Sequence, residues 1–113
     1  MKADLQLALI YVNACMGVSH ESPQALVMPW DLQQTRHSYI EFRVQKMRFH
    51  SGDTQREVLT RMSDTLGHPT RSFSHPMKQT YEWDISDTQT VCMVWIRNVG
   101  TFIRLHDARE NRK

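Results

Sequence analysis

The first apolar pattern lies in residues 4–16, where hydrophobic positions recur every three to four residues and predict an amphipathic helix. One apolar face of this helix consists of Leu5, Leu9, Val12 and Met16. A second apolar face consists of Leu7, Ile10 and Tyr11. Because both faces are apolar, we expect the helix to be buried on more than one side, or to pack against a second copy, and to end at Gly17.

A second helical pattern occupies residues 53–66. Thr54 and Glu57 have the spacing of a capping box at its start, and Gly67 followed by Pro69 gives it a left-handed stop. Its apolar stripe consists of Val58, Leu59, Met62 and Leu66. This segment is therefore predicted to be the main helix of the fold.

The segment between these features, residues 18–36, has no clear period. Pro23 can open a short helix, which Pro29 would then limit. We expect Trp30 and Leu32 to pin this connection to the core. If the segment folds over the second apolar face of the first helix, it completes a monomer without help from another chain.

Residues 37–49 are the first segment with the period-two alternation of a strand. Ile40, Phe42 and Val44 share one face, and the apolar phase then shifts to Met47 and Phe49. A one-residue bulge near residues 45–46 would reconcile the two halves. The segment is therefore predicted to be a bulged strand.

The later part of the chain also has strand patterns. Tyr81, Trp83 and Ile85 alternate with acidic residues, so this strand should have one solvent-facing side. Residues 91–96 are apolar on both faces, which is typical of a central strand. Residues 98–100 predict a tight hairpin with Gly100 in a left-handed position, leading into a last strand at 101–106.

Together these patterns predict an α+β fold: a largely antiparallel sheet of four to five strands, with one main helix and an N-terminal helix packed on one face. We expect a single domain over residues 1–113, in which the charged tail 107–113 is frayed. The length of 113 residues and the 40% hydrophobic content suit one modest core.

The run from Val58 to Leu105 combines a helix, a Gly67-x-Pro69 stop, a strand carrying Tyr81 and Trp83, and a hairpin. In this it resembles small α+β modules of the β-lactamase-inhibitor-like kind. The resemblance implies binding to another protein. It covers less than half of the chain, and the strand at 37–49 departs from it, so it assigns no functional residue.

Charge is distributed unevenly, although the formal net charge is only +2. Residues 36–61 carry six basic residues against three acidic ones, and residues 97–113 carry five against two. If the strands in these two stretches are close together, five cations could form one basic face: Arg43, Lys46, Arg48, Arg97 and Arg104. Such a face would attract a phosphate backbone or an acidic protein, whereas scattered solubilising charge is the simpler interpretation.

Motifs for catalysis, metal binding and membrane insertion give no positive signal. No nucleophile elbow, phosphate loop or tight metal-ligand spacing is present, so we expect no catalytic residue, no metal site and no cofactor. A His68, His75, His106 and Cys92 metal site and acid–base work by Glu82, Asp84 and Asp87 are the weaker alternatives. No run of 18 apolar residues exists, so no membrane partner is expected.

The two cysteines, Cys15 and Cys92, do not make a disulfide framework and favour a reducing cytoplasm. A weak export signal at residues 1–16 is the alternative to an amphipathic helix there.

Three functions remain open. The first is a small non-enzymatic protein that acts by protein–protein contact, of the inhibitor, immunity, anti-defence or adaptor type. The second is a nucleic-acid-associated regulator that uses the basic strands 37–49 and 97–113. The third is a small enzyme with an unrecognised site. A homodimer is also predicted, with its seam at Leu7, Ile10 and Tyr11 or at an exposed sheet edge.

Overall fold

The computed structural model describes residues 5–19, 21–22, 25–28, 32–33, 39–44 and 54–107. Its two helices are α1 (Leu5–Cys15) and α2 (Thr54–Leu66). Its strands are β1 (Leu32–Gln33), β2 (Tyr39–Arg43), β3 (Arg71–His75), β4 (Lys78–Asp84), β5 (Gln89–Ile96) and β6 (Gly100–Asp107). The α+β class predicted from the sequence is confirmed.

All strand pairs are antiparallel and form one sheet in the order β1-β2-β6-β5-β4-β3. The predicted central strand is confirmed, because β5 lies inside the sheet and Val91, Cys92, Met93 and Val94 are all buried. The described sheet has six strands, and the two-residue β1 and the polar β3 were not recognised individually in the sequence. Of the two edges, β3 is the longer.

The core is one cluster of buried side chains that includes residues of both helices and residues from one face of the sheet. Phe42, Ile103, Met93 and Tyr81 are opposite one another in register, so they share this face. Three of them are fully buried and Tyr81 is half-buried. The same cluster contains the following helix residues: Leu9, Val12, Met16, Val58 and Met62. We call this the helix-side face of the sheet.

The predicted stop of each helix is confirmed. Gly17 and Gly67 have φ angles of 74° and 84°, the left-handed region in which a side chain would be strained. The end of α2 is also tied to the sheet, because the indole Nε1–H of buried Trp83 donates to the carbonyl of Gly67 at 2.9 Å. This bond fixes where α2 ends over β4.

The predicted hairpin between β5 and β6 is confirmed as well. Its turn is closed by the Val99 amide, which donates to the Ile96 carbonyl at 3.0 Å. Gly100 has a positive φ of 148°, but Asn98 also adopts a left-handed φ of 64°. Asparagine is one of the few residues that tolerate this conformation, so the turn depends on both positions.

A buried asparagine explains why residues 25–28 are not helical, contrary to the short helix expected after Pro23. The side chain of Asn13, on α1, donates to the Val27 carbonyl at 2.7 Å and accepts from the Val27 amide at 3.0 Å. Both residues are 0% exposed. The backbone groups that would close a helical turn are therefore already bonded to α1.

Several predictions lie on residues outside the described ranges: the bulge at 45–46, Met47, Phe49, Trp30 and the tail beyond residue 107. Within the predicted strand 37–49, the structure describes β2 and Val44.

Two residues of the predicted dimer seam, Ile10 and Tyr11, differ in their exposure to solvent. Ile10 is 39% exposed, whereas Tyr11 is half-buried against the core cluster, and burial raises its pKa to about 12. Leu7 belongs to α1, but its side chain is outside the description. Val27 is bonded to Asn13 of α1, which is not one of the seam residues, so these bonds do not decide between the monomer and the dimer. The homodimer stays a prediction.

We predict that Asn13→Ala lowers the free energy of unfolding by about 2–4 kcal/mol, because it leaves the buried amide and carbonyl of Val27 without partners. Urea denaturation followed by circular dichroism would measure the change. Ala14→Ser, at the exposed neighbouring position, is the matched control and should change stability by less than about 0.5 kcal/mol. Equal stability of Asn13→Ala and the control would contradict this assignment.

Candidate functional site

The second face of the sheet carries polar and charged side chains in rows across the strands. One row runs through Glu41, Arg104, Cys92, Glu82 and Arg71, which are opposite one another on β2, β6, β5, β4 and β3. Residues in register share a face, so this row lies opposite the helix-side face. We call this second face the groove face.

The groove face contains a concave site of about 840 Å³. The residues that line it come from the four strands β3 to β6 and from the β3–β4 turn, and include Phe73, His75, Met77, Cys92 and His106. The volume is within the range of ligand pockets, but the lining mixes cations, carboxylates and apolar groups. The shape therefore suits contact with a chain segment as well as with a small molecule.

Two ion-pair groups fix the charged row. Arg71 donates to Glu82 at 2.7 Å and forms two bonds to the carboxylate of Asp84, at 2.6 and 2.9 Å. This bidentate geometry holds the pKa of Asp84 below its usual value and raises that of Arg71. Arg104 and Glu41 form the second pair. Glu82 and Asp84, the acid–base alternative from the sequence, thus act as partners of an arginine that joins β3 to β4.

Cys92 lies between these pairs, in surroundings that disfavour its thiolate form. Its Sγ is 3.8 Å from Oε2 of Glu82, and the side chain is buried. Burial first, and then the nearby Glu82 carboxylate, raise the pKa of Cys92 to about 11. At neutral pH the thiol therefore stays protonated, which is the opposite of what nucleophilic catalysis requires.

The most exposed part of this face is β3 and the turn that follows it. All five residues of β3 are exposed, and on this strand Phe73 has 57% of its surface in contact with solvent. Met77, in the adjoining turn, is 48% exposed. Within the described chain β3 pairs only with β4, so its outer edge is open. Large exposed apolar side chains beside an open strand edge are a common feature of binding surfaces.

A second feature is the end of the sheet where two hairpin turns meet. The Arg97 amide donates to the Met77 carbonyl at 2.9 Å, which brings the β5–β6 turn against the β3–β4 turn. Arg43 donates to the Val99 carbonyl at 3.1 Å from the neighbouring strand. Lys78 is opposite Ile96, which in turn is opposite Gly100. We call Arg43, Lys78 and Arg97 the basic end.

The predicted basic face is thus only partly described. Arg43 is bonded to the β5–β6 turn that carries Arg97, whereas Arg104 is bonded to Glu41 in mid-sheet, and the single basic face stays a prediction. Lys46 and Arg48 are outside the described residues. Sequence reasoning missed Lys78, Phe73 and Met77. A single signal could have found them, the Pro76-Met77 turn between two alternating segments.

Two kinds of feature are absent from the described residues: a cluster of metal-ligating side chains and a helix that could span a membrane. In those residues no three His, Cys, Asp or Glu side chains are grouped as metal ligands. Neither α1 nor α2 has the length and apolar content of a bilayer-spanning helix.

Comparisons with protein-family models, with curated proteins and with solved structures gave no match. The groove face and the edge of β3 are therefore the features that bear on function.

We predict that Cys92 reacts with iodoacetamide at pH 8 about a hundredfold more slowly than a thiol of ordinary pKa, measured in a Cys15→Ser background. Glu82→Gln should speed the reaction because it removes a negative charge beside the thiol. Glu57→Gln on α2 is the control and should leave the rate unchanged. Rapid labelling of Cys92 at neutral pH would contradict the assignment and favour a nucleophilic role.

Proposed function

We propose that this chain is a small non-enzymatic binding protein, of the inhibitor, immunity, anti-defence or adaptor type, that pairs an extended segment of a partner protein with the outer edge of β3. The observation that carries the proposal is the five-residue outer edge of β3, which no other described strand pairs with, and the exposed Phe73 on it. Strand addition of this kind uses main-chain hydrogen bonds for affinity and side-chain contacts for specificity.

The backbone of β3 offers suitable bonding groups. The two-residue turn at 76–77 joins His75 and Lys78, which are paired in register. The closing pair of such a hairpin exchanges both hydrogen bonds, and alternate pairs do the same. Phe73 and Arg71 are therefore bonded towards β4, whereas the amides and carbonyls of Ser72 and Ser74 point away from the sheet. A partner strand would bond to these outward groups.

Side chains near this edge supply the apolar contact. Phe73 and Met77 belong to residue types that are enriched at interfaces, and both are about half exposed. They stand beside the groove, so an apolar side chain of the bound segment could insert there. Aromatic anchors of this kind often carry a large share of the binding energy.

The rest of the sheet keeps this edge in place. Arg71 links β3 to Glu82 and Asp84 of β4, and β4 is bonded along its length to the buried strand β5. A binding strand that is already ordered loses less conformational entropy when the partner docks. Two free thiols, Cys15 and Cys92, support a reducing cytoplasm as the compartment in which the protein works.

A nucleic-acid-associated regulator is the second candidate, and the basic end is the observation that favours it. Three cations at one end of a sheet could contact two or three phosphates. We rank it second because the exposed apolar residues and the open edge fit a protein segment better than a continuous phosphate backbone. An enzyme is third, since the pKa of the groove thiol is raised away from reactivity.

Selection from a random peptide library displayed on phage, against the immobilised full chain, tests the proposal. We expect wild-type protein to enrich peptides rich in β-branched residues, because the bound segment is a strand. Ser72→Pro should weaken binding of the selected peptides about tenfold, since proline removes an outward amide without breaking the bonds to β4. Phe73→Ser should weaken binding by a similar factor or more.

Ser72→Thr is the matched control, because it keeps the amide and favours a strand. It should bind the peptides as the wild type does, and circular dichroism should show all three variants to be folded. Failure to enrich any peptide, or wild-type affinity in folded Ser72→Pro, would contradict the proposal.

A further inference from the structure

We infer that the partner segment is acidic at the end that lies beside the β3–β4 turn and uncharged or basic at its other end. This inference rests on the proposed function and adds the charge pattern of the partner. It follows from an electrostatic difference between the two ends of the groove face.

The turn end of the groove face is cationic. The three side chains of the basic end, Arg43, Lys78 and Arg97, are exposed, and no carboxylate of the described residues is within ion-pair distance of them. Lys78 is two strand spacings from Gly100, or about 10 Å. A side chain added at Gly100 would begin only 3.7 Å from Nε of Arg43. Lys78, on the strand next to β3, and Arg97, whose amide is bonded to Met77, are the two of these cations nearest to β3.

The opposite end of the same strands is different. Arg71 is paired with Glu82 and Asp84, so two carboxylates and one guanidinium leave an excess of negative charge. Asp87 lies in the β4–β5 turn at that end. Between the two ends, Arg104 is paired with Glu41. Acidic groups of a ligand are thus attracted at the turn end and repelled at the far end.

β3 is long enough for one bound segment to be influenced by both ends of the groove face, which differ in charge. Five residues span about 15 Å, which exceeds the screening length at physiological salt. Residues of a bound segment beside His75 would be near Lys78 and near the turn that carries Arg97, whereas residues beside Arg71 would be near the ion-pair group of Arg71, Glu82 and Asp84, whose net charge is negative. A uniformly charged polymer such as nucleic acid would meet attraction at only one end. A protein segment can match both.

The position of the acidic residues within the bound segment would report the direction in which it binds. A segment antiparallel to β3 would carry its Asp or Glu residues in its N-terminal half, because that half lies beside the C-terminal end of β3. A parallel segment would carry them in its C-terminal half. Either arrangement places an apolar residue of the segment over Phe73 and Met77.

The peptides selected by the wild-type protein are synthesised with a fluorescent label. Their affinity for the protein is then measured by fluorescence anisotropy at low salt and at about 0.3 M salt. We expect Asp or Glu to be enriched at one end of these peptides only. Lys78→Gln/Arg97→Gln should weaken their binding about tenfold and flatten its salt dependence. Arg56→Gln/Arg61→Gln removes the same charge from α2 and should change affinity less than twofold.

Selected peptides without an acidic end, or with full affinity for Lys78→Gln/Arg97→Gln, would overturn this inference. The proposed function would still stand if Ser72→Pro and Phe73→Ser abolished their binding. If no peptide is enriched and the wild type instead binds random single-stranded DNA with an affinity that depends on Lys78 and Arg97, both the inference and the proposed function are wrong.

Discussion

Burial of β5 on both of its faces is the constraint on which the rest of this structure depends. On the helix-side face, Met93 packs with both helices, and on the groove face Val94 and Cys92 are also removed from solvent. A strand buried on both sides needs a neighbour along each edge to bond its backbone. β4 and β6 fill those positions, and the remaining strands extend the sheet outward from this pair.

The distance of a strand from β5 in the sheet determines how far that strand contributes to the core and how far it stays exposed. β4 and β6 each place a residue in the core cluster, Trp83 and Ile103, and each also lines the groove, through residues such as Glu82 and Arg104. They therefore shape the groove while contributing to the core. β3 contributes little to the core, and its order depends on pairing with β4 and on Arg71. Such an edge can exchange solvent for a partner strand without disturbing the interior. The segment that contains Val27 differs from β3 in this respect, because its buried hydrogen bonds to Asn13 hold it against α1.

The sequence predicts those elements whose side chains carry a strong periodic signal. α2, the alternation around Trp83 and the apolar run of β5 are examples, because burial selects their residues directly. The turn at Asn98 is predicted for a different reason, because its left-handed φ favours asparagine. It does not predict β3, whose Arg-Ser-Phe-Ser-His run has no buried face. Nor does it predict that Lys78 would approach Arg43 and Arg97. That proximity depends on strand order and on two turns meeting, neither of which is encoded by local spacing.

The central claim is that the outer edge of β3 is open in the free protein and is where a partner binds. Amide hydrogen exchange, read residue by residue by NMR, tests this most directly. The account predicts slow exchange at Val91 to Val94, fast exchange at the outward amides of Ser72 and Ser74, and slower exchange at those two when a selected peptide is bound. Protected Ser72 and Ser74 amides in the free protein, or amides that a bound peptide leaves unchanged, would contradict it.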